Sequence, residues 1–217
     1  MNGCQVVQGA PGRVTTGISA LDCVLGGGLI EGSTILFAGC PCTGKTTLTL
    51  QMLAGLGQRC LYVTDEEALE HVKASTRRSG SESNQICMLA DTRLGEILER
   101  ARSMRAQMIA IDTIQTLVCE HVDVPPGRPA QLRSCMKHLT DYQMTTDTTL
   151  WLISQLTRRG ELAGSVTGVH HFADVVLRLD QEDDARILSS SKNRFGSVHD
   201  GALFKLTAKG FVEYAAS

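Results

Sequence analysis

The chain has 217 residues, of which 42% are hydrophobic and 20% charged, and a net charge of −2. That length suits a single α/β domain spanning residues 1–217, with a core able to fold alone. No apolar run approaches the ~20 residues a membrane helix needs, and a near-neutral chain does not coat nucleic acid over its whole surface, so any such contact must be local.

The opening Met1-Asn2-Gly3-Cys4-Gln5 lacks the basic segment and apolar core of a secretory signal. An apolar run, Thr34-Ile35-Leu36-Phe37-Ala38, predicts the first central strand, and a helix runs from about Thr46 to Gly55. Cys60 to Thr64 reads as a strand, Glu66 to Arg78 as a helix stopped by Ser79-Gly80, and Gln85 to Leu89 as a third strand. Asp91 or Thr92 caps a helix running to Arg105, with Leu94, Ile97, Leu98 and Ala101 on one face. Met108 to Asp112 is a continuous apolar strand, as in the buried centre of a parallel sheet. Val122 to Pro129, with three prolines, reads as a loop. A helix to about Tyr142 and a strand from Thr149 to Ile153 follow.

Beyond the polar loop from Arg158 to Gly168 the pattern changes. Val175 to Leu179, Arg186 to Ser190, Ala202 to Leu206 and Gly210 to Tyr214 are short strands with no helices between them, which suggests hairpins. The expected fold is α/β: a doubly wound, mainly parallel sheet with antiparallel C-terminal strands. The eight cysteines contain no C-x-x-C pair, and Cys60, Cys87 and Cys119 sit in apolar runs as buried free thiols. A reducing, cytoplasmic setting is expected.

Gly39-Cys40-Pro41-Cys42-Thr43-Gly44-Lys45-Thr46 fits the phosphate-loop pattern G-x-x-x-x-G-K-[ST] and lies between a strand and a helix, as the chemistry requires. Backbone amides of the loop and the helix N-terminus would wrap the phosphates of ATP, through Thr47. Lys45 would reach the β- and γ-phosphates, and Thr46 would hold Mg²⁺. Asp112, ending the most hydrophobic strand, is a second metal candidate; the alternative is a helix N-cap. Glu66 and Glu67 follow a strand to the same edge, where one carboxylate can orient or deprotonate water. Gln155, just past another strand, is placed to bond the γ-phosphate or to sit idle on the surface.

Several segments carry a family resemblance. They are Arg13-Val14-Thr15-Thr16-Gly17-Ile18-Ser19-Ala20-Leu21-Asp22, Leu25-Gly26-Gly27-Gly28-Leu29, Leu61-Tyr62-Val63-Thr64-Asp65-Glu66-Glu67, Ile111-Asp112-Thr113-Ile114-Gln115-Thr116, Leu162-Ala163-Gly164 and Lys192-Asn193-Arg194-Phe195-Gly196. Together they closely resemble the ATPase core of the RadA (Sms) family, from Arg13 to Tyr214. The resemblance implies a RecA-like fold, hexameric rings or filaments, and ATP-driven movement on single-stranded or branched DNA. It implies that Glu66 activates water, that Gln155 senses the γ-phosphate, and that Lys192 and Arg194 reach a neighbouring subunit's nucleotide. Arg128 with Arg133, and Arg158 with Arg159, fall in loops that face the central channel of such rings. Family members carry a four-cysteine zinc finger before this core and a Lon-protease-like domain after it, and these 217 residues contain neither. A KaiC-type module that switches a protein partner without DNA is the competing expectation.

Overall fold

The computed structural model describes residues 12–156, 168–198 and 201–214, with the side chains of Glu66 and Glu67 left out. A short ribbon of β1 (Arg13–Val14) and β2 (Leu29–Ile30) brackets α1 (Ser19–Leu25). Strands and helices then alternate: β3 (Thr34–Gly39), α2 (Lys45–Leu56), β4 (Cys60–Thr64), α3 (Glu66–Ser79), β5 (Ile86–Ala90), α4 (Leu94–Met104) and β6 (Met108–Asp112). A 3-10 turn at Ile114–Thr116 leads on to α5 (Pro129–Thr146) and β7 (Thr149–Gln155). The short α6 (Val169–Phe172) precedes β8 (Val175–Glu182), β9 (Ala185–Asn193), β10 (Ala202–Thr207) and β11 (Gly210–Glu213).

Among the described residues nine strands form one sheet in the order β11-β10-β9-β8-β3-β7-β6-β4-β5. From β8 to β5 every pairing is parallel, and β9, β10 and β11 add on antiparallel. All six residues of β3 and all five of β4 are buried, which is why these strands are apolar throughout rather than alternating. Successive residues feed opposite layers. Leu36 packs with α4 and α5 through Leu98 and Leu139, whereas Ile35 and Phe37 pack with α1 and α2 through Leu21 and Leu53. Trp151 lies beside Phe37, ring centroids 5.3 Å apart, and its buried indole N–H donates to Thr49 Oγ1 at 3.0 Å.

The expected strands and helices are present, with some shifts. The helix after β5 is capped by Arg93, not by Asp91 or Thr92; Asp91 Oδ1 instead accepts the Arg93 backbone N–H at 2.9 Å. Its apolar face is the expected one, since Leu94, Ile97, Leu98 and Ala101 are all buried. Pro129, read as loop, is the first residue of α5, where a missing N–H costs nothing. Cys60 and Cys119 are buried, but Cys87 on the edge strand β5 is only half-buried. Helices α1 and α6 were not expected.

The parallel register brings four strand ends to one edge: Gly39 opposite Gln155, Ile153 opposite Asp112, and Asp112 opposite Thr64. In open α/β sheets that edge is where ligands bind. The C-terminal hairpin closes the far flank by docking on α2, where the Phe211 backbone N–H donates to Gln51 Oε1 at 2.6 Å and Gln51 Nε2 donates to Phe211 O at 3.2 Å. Gln51→Leu keeps the volume and loses both bonds. It is expected to cost about 1–3 kcal/mol in urea unfolding and to speed amide exchange in β10 and β11. Unchanged exchange there would show that other contacts hold the hairpin.

Candidate nucleotide-binding site

The loop between β3 and α2 is built for close approach. A Cβ on Gly39 would lie 2.7 Å from Leu179 O, and one on Gly44, where φ is +101°, would lie 2.7 Å from the Phe211 ring. Helix α2 begins at Lys45 with no side-chain cap and no acidic residue in its first turn. Its first amides are therefore left to an external acceptor, and the helix dipole favours an anion there. Lys45 is buried, and its Nζ donates to Gly39 O at 2.9 Å and Cys40 O at 2.7 Å. Burial lowers the Lys45 pKa, while the nearby Asp112 charge works in the opposite direction. Thr43 Oγ1 donates to Cys40 O at 2.9 Å, and from β9 the Arg186 Nε–H donates to Thr43 O at 3.1 Å.

Asp112 Oδ2 is the meeting point of the site. It accepts the Thr46 hydroxyl at 2.6 Å and the Tyr62 hydroxyl at 2.8 Å. Burial first, then the Asp112 charge and hydrogen bond, push the Tyr62 pKa well above its ordinary value, so its proton stays on the phenol as donor. Thr46, Thr47, Asp112, Thr113 and Gln155 line a cleft of ≈ 400 Å³, which α3 closes with Ala68, His71 and Ser75. Among the described residues no three or more His, Cys, Asp or Glu side chains converge as metal ligands. A cation here would instead draw on one hydroxyl, one carboxylate and phosphate oxygens, a hard donor set that fits Mg²⁺.

The remaining expected residues lie at varying distances from this centre. Glu66 opens α3 directly after the N-cap Asp65, whose side chain accepts the Ala68 N–H at 2.9 Å; the Glu66 and Glu67 side chains lie outside the described part. Gln155 is the exposed last residue of β7, and its carbonyl accepts Gln115 Nε2 at 3.2 Å. Gln115 Nε2 also donates to Ser154 Oγ at 3.1 Å. Arg128 caps α5, and Arg133 lies inside that helix rather than in a loop as expected; both are exposed. Arg158 and Arg159 lie outside the described residues.

Lys192 and Arg194 are not near their own chain's phosphate loop. Lys192 pairs with Val176, itself opposite Leu36, three positions back from Gly39 and so about 10 Å along the strands. Lys192 Nζ donates to Ala173 O at 2.5 Å and His170 O at 3.1 Å, and Arg194 pairs with Asp174 at 2.9 Å. Burial, then the neighbouring Arg194 charge, lower the Lys192 pKa.

Sequence reasoning missed Tyr62, Arg186 and Gln115. Only Tyr62 left a signal: a phenol in an otherwise apolar buried strand needs a partner for its O–H.

Cys42 has φ +64°, a left-handed conformation that costs a residue with a Cβ about 1–2 kcal/mol. Cys42→Gly is therefore expected to leave the melting temperature within a few degrees, since the relieved strain offsets the added freedom of the unfolded chain. Cys42→Val, β-branched at the same φ, is expected to melt lower and to bind nucleotide less well. Equal melting of both variants would mean that the loop relaxes freely.

The family described as "ATPase: KaiC" matches residues 14–89. The "DNA repair protein RadA" of Haemophilus influenzae is 39% identical over 205 residues, covering 93% of this chain and 44% of that protein. The proteins of the same name from Pseudomonas aeruginosa and Escherichia coli are 38% and 37% identical over the same share of this chain. The chain thus spans less than half the length of these relatives. The crystal structure of a KaiC-like protein from Pyrococcus horikoshii OT3 superposes with a TM-score of 0.76 at 22% identity, covering 95% of this chain and 100% of that one. Over 93% of its length the chain is thus similar in sequence to the RadA proteins, and it shares the fold of the KaiC-like structure.

Proposed function

We propose that this chain, as one RecA-like domain across residues 1–217, is a Mg²⁺-dependent ATPase of DNA recombination and repair. In this reading it works as an oligomer, a hexamer by family analogy, on single-stranded or branched DNA in the cytoplasm. The observation that carries the proposal is the 2.6 Å contact between Thr46 Oγ1 and Asp112 Oδ2 beside an uncapped helix N-terminus. It sets a hydroxyl and a carboxylate together where phosphates would rest. The relatives named "DNA repair protein RadA" support the biological setting. Among the described residues no helix is long and apolar enough to cross a membrane.

In this reading, amides from Gly39 to Thr47 hold the phosphates and Lys45 exchanges its loop carbonyls for phosphate oxygens. Thr46 and Asp112 hold Mg²⁺, which when bound neutralises charge on the β- and γ-phosphates. Glu66, at the start of α3, takes the proton of the attacking water, and Gln155 at the end of β7 senses the γ-phosphate. Lys192 and Arg194 serve a neighbouring subunit's nucleotide. Their position back from the chain's own phosphate loop supports that division. Arg128, Arg133, Arg158 and Arg159 contact DNA phosphates. The competing reading is a KaiC-like switch acting on a protein partner, favoured by the match over residues 14–89 and the net charge of −2.

Lys45→Ala and Asp112→Asn are expected to abolish ATP turnover while the protein stays folded. Glu66→Gln is expected to keep nucleotide binding and to lose about two orders of magnitude or more in hydrolysis, the scale of a lost general base. If Glu67→Gln shows that loss and Glu66→Gln does not, the base is the neighbouring carboxylate.

DNA separates the two readings. Hydrolysis is expected to rise with single-stranded DNA, and binding to weaken with salt at a slope of about −0.7 per phosphate neutralised. Arg158→Ala with Arg159→Ala should flatten that slope and remove the stimulation while sparing basal hydrolysis. Identical salt curves would move the contact elsewhere, and no binding by either protein would favour the switch.

A further inference from the structure

Thr46 and Asp112 make up the pair that the proposed function uses, yet a third residue fixes the carboxylate. Tyr62 is fully buried in β4, and its hydroxyl donates to Asp112 Oδ2 at 2.8 Å. The register explains the reach. Tyr62 lies opposite Ala110 and Thr64 opposite Asp112, so the ring stands on the same face of the sheet as Asp112, one pleat back from the edge. Around the ring the layer is apolar, with Met52, Leu53, Met108 and Ile153 in the same cluster. Packing alone would be met by phenylalanine. The hydroxyl is the only polar atom the ring brings to this layer, and it is spent on the carboxylate oxygen that also accepts Thr46.

We propose that Tyr62 is a positioning residue of this site, holding Asp112 aimed at Thr46 so that the divalent cation accompanying the nucleotide meets a preset hydroxyl–carboxylate pair. The inference rests on the nucleotide reading above. Tyr62 lies beneath the carboxylate and acts through Asp112, not on the nucleotide. Once the Thr46 hydroxyl turns to a cation, Tyr62 remains as the donor that keeps the carboxylate in place. Partners in this position are worth about 10- to 100-fold in metal affinity.

The test compares wild type, Tyr62→Phe and 3-fluorotyrosine at the same position, using a fluorescent ATP analogue titrated first in EDTA and then with Mg²⁺. Tyr62→Phe removes one oxygen and keeps the ring, and its melting temperature checks the fold. It is expected to bind the analogue in EDTA within about twofold of wild type while needing about 10-fold more Mg²⁺ for the metal-dependent change. The fluorinated ring keeps a hydroxyl donor and is expected to match wild type. Equal Mg²⁺ dependence in wild type and Tyr62→Phe overturns the proposal, as does a loss in EDTA as large as the loss with Mg²⁺, or a fluorotyrosine protein that behaves like Tyr62→Phe. A wild type that binds no nucleotide at all overturns the nucleotide reading and this inference with it, a result distinct from the others.

Discussion

One carboxylate oxygen ties the site together. Asp112 Oδ2, at the end of β6, accepts hydroxyls from Thr46 at the start of α2 and from Tyr62 in β4. Those residues are 66 and 50 positions away in the chain. They meet only because β4 pairs directly with β6 and because β3, which delivers the phosphate loop, pairs with β7 beside it. The sheet order, more than any local motif, thus brings the loop to the carboxylate. Charge-assisted hydrogen bonds of this kind are about twice as strong as neutral ones and hold geometry as well as energy.

The antiparallel strands complete what the parallel sheet begins. Arg186, near the start of β9, fastens the phosphate loop through Thr43 O, and Phe211 fills the space above Gly44. At the other end of β9, Lys192 and Arg194 fasten the segment from His170 to Asp174 that enters β8. Arg186 and Lys192 are six positions apart on one strand, about 20 Å. In the proposed oligomer, one rigid strand therefore joins the chain's own phosphate loop to the basic pair assigned to its neighbour.

Most of the fold was legible in the sequence because buried parallel strands write themselves as unbroken apolar runs. Cys60 to Thr64 and Met108 to Asp112 have the expected bounds. The amphipathic α4 was equally plain, since its buried face follows the helical period. The misses have physical causes. Helix α1 has seven residues and α6 four, too short for a periodic pattern to register. Pro129 marked a loop by composition, but proline suits the first helical turn equally well. Within the site, the phosphate loop, Asp112 and Gln155 could be placed because each lies at or just beyond the end of a recognisable strand. The contacts of Tyr62 and Arg186 could not, because they depend on which strands become neighbours, and a local pattern does not encode that. Nor does local sequence show that Lys192 and Arg194, two positions apart, take different partners: Lys192 lies on β9 and donates to Ala173 O and His170 O. Arg194 instead lies one residue past the end of β9 and engages Asp174.

The most direct test of the account is a crystal structure of the protein with Mg²⁺ and a non-hydrolysable ATP analogue. The phosphates are expected on the N–H groups between Gly39 and Thr47 (Pro41 has none), Lys45 Nζ on a phosphate oxygen in place of the Gly39 and Cys40 carbonyls, and the metal between Thr46 and Asp112. Nucleotide bound elsewhere, or bound here with Lys45 still on those carbonyls and no metal near Asp112, would contradict the account.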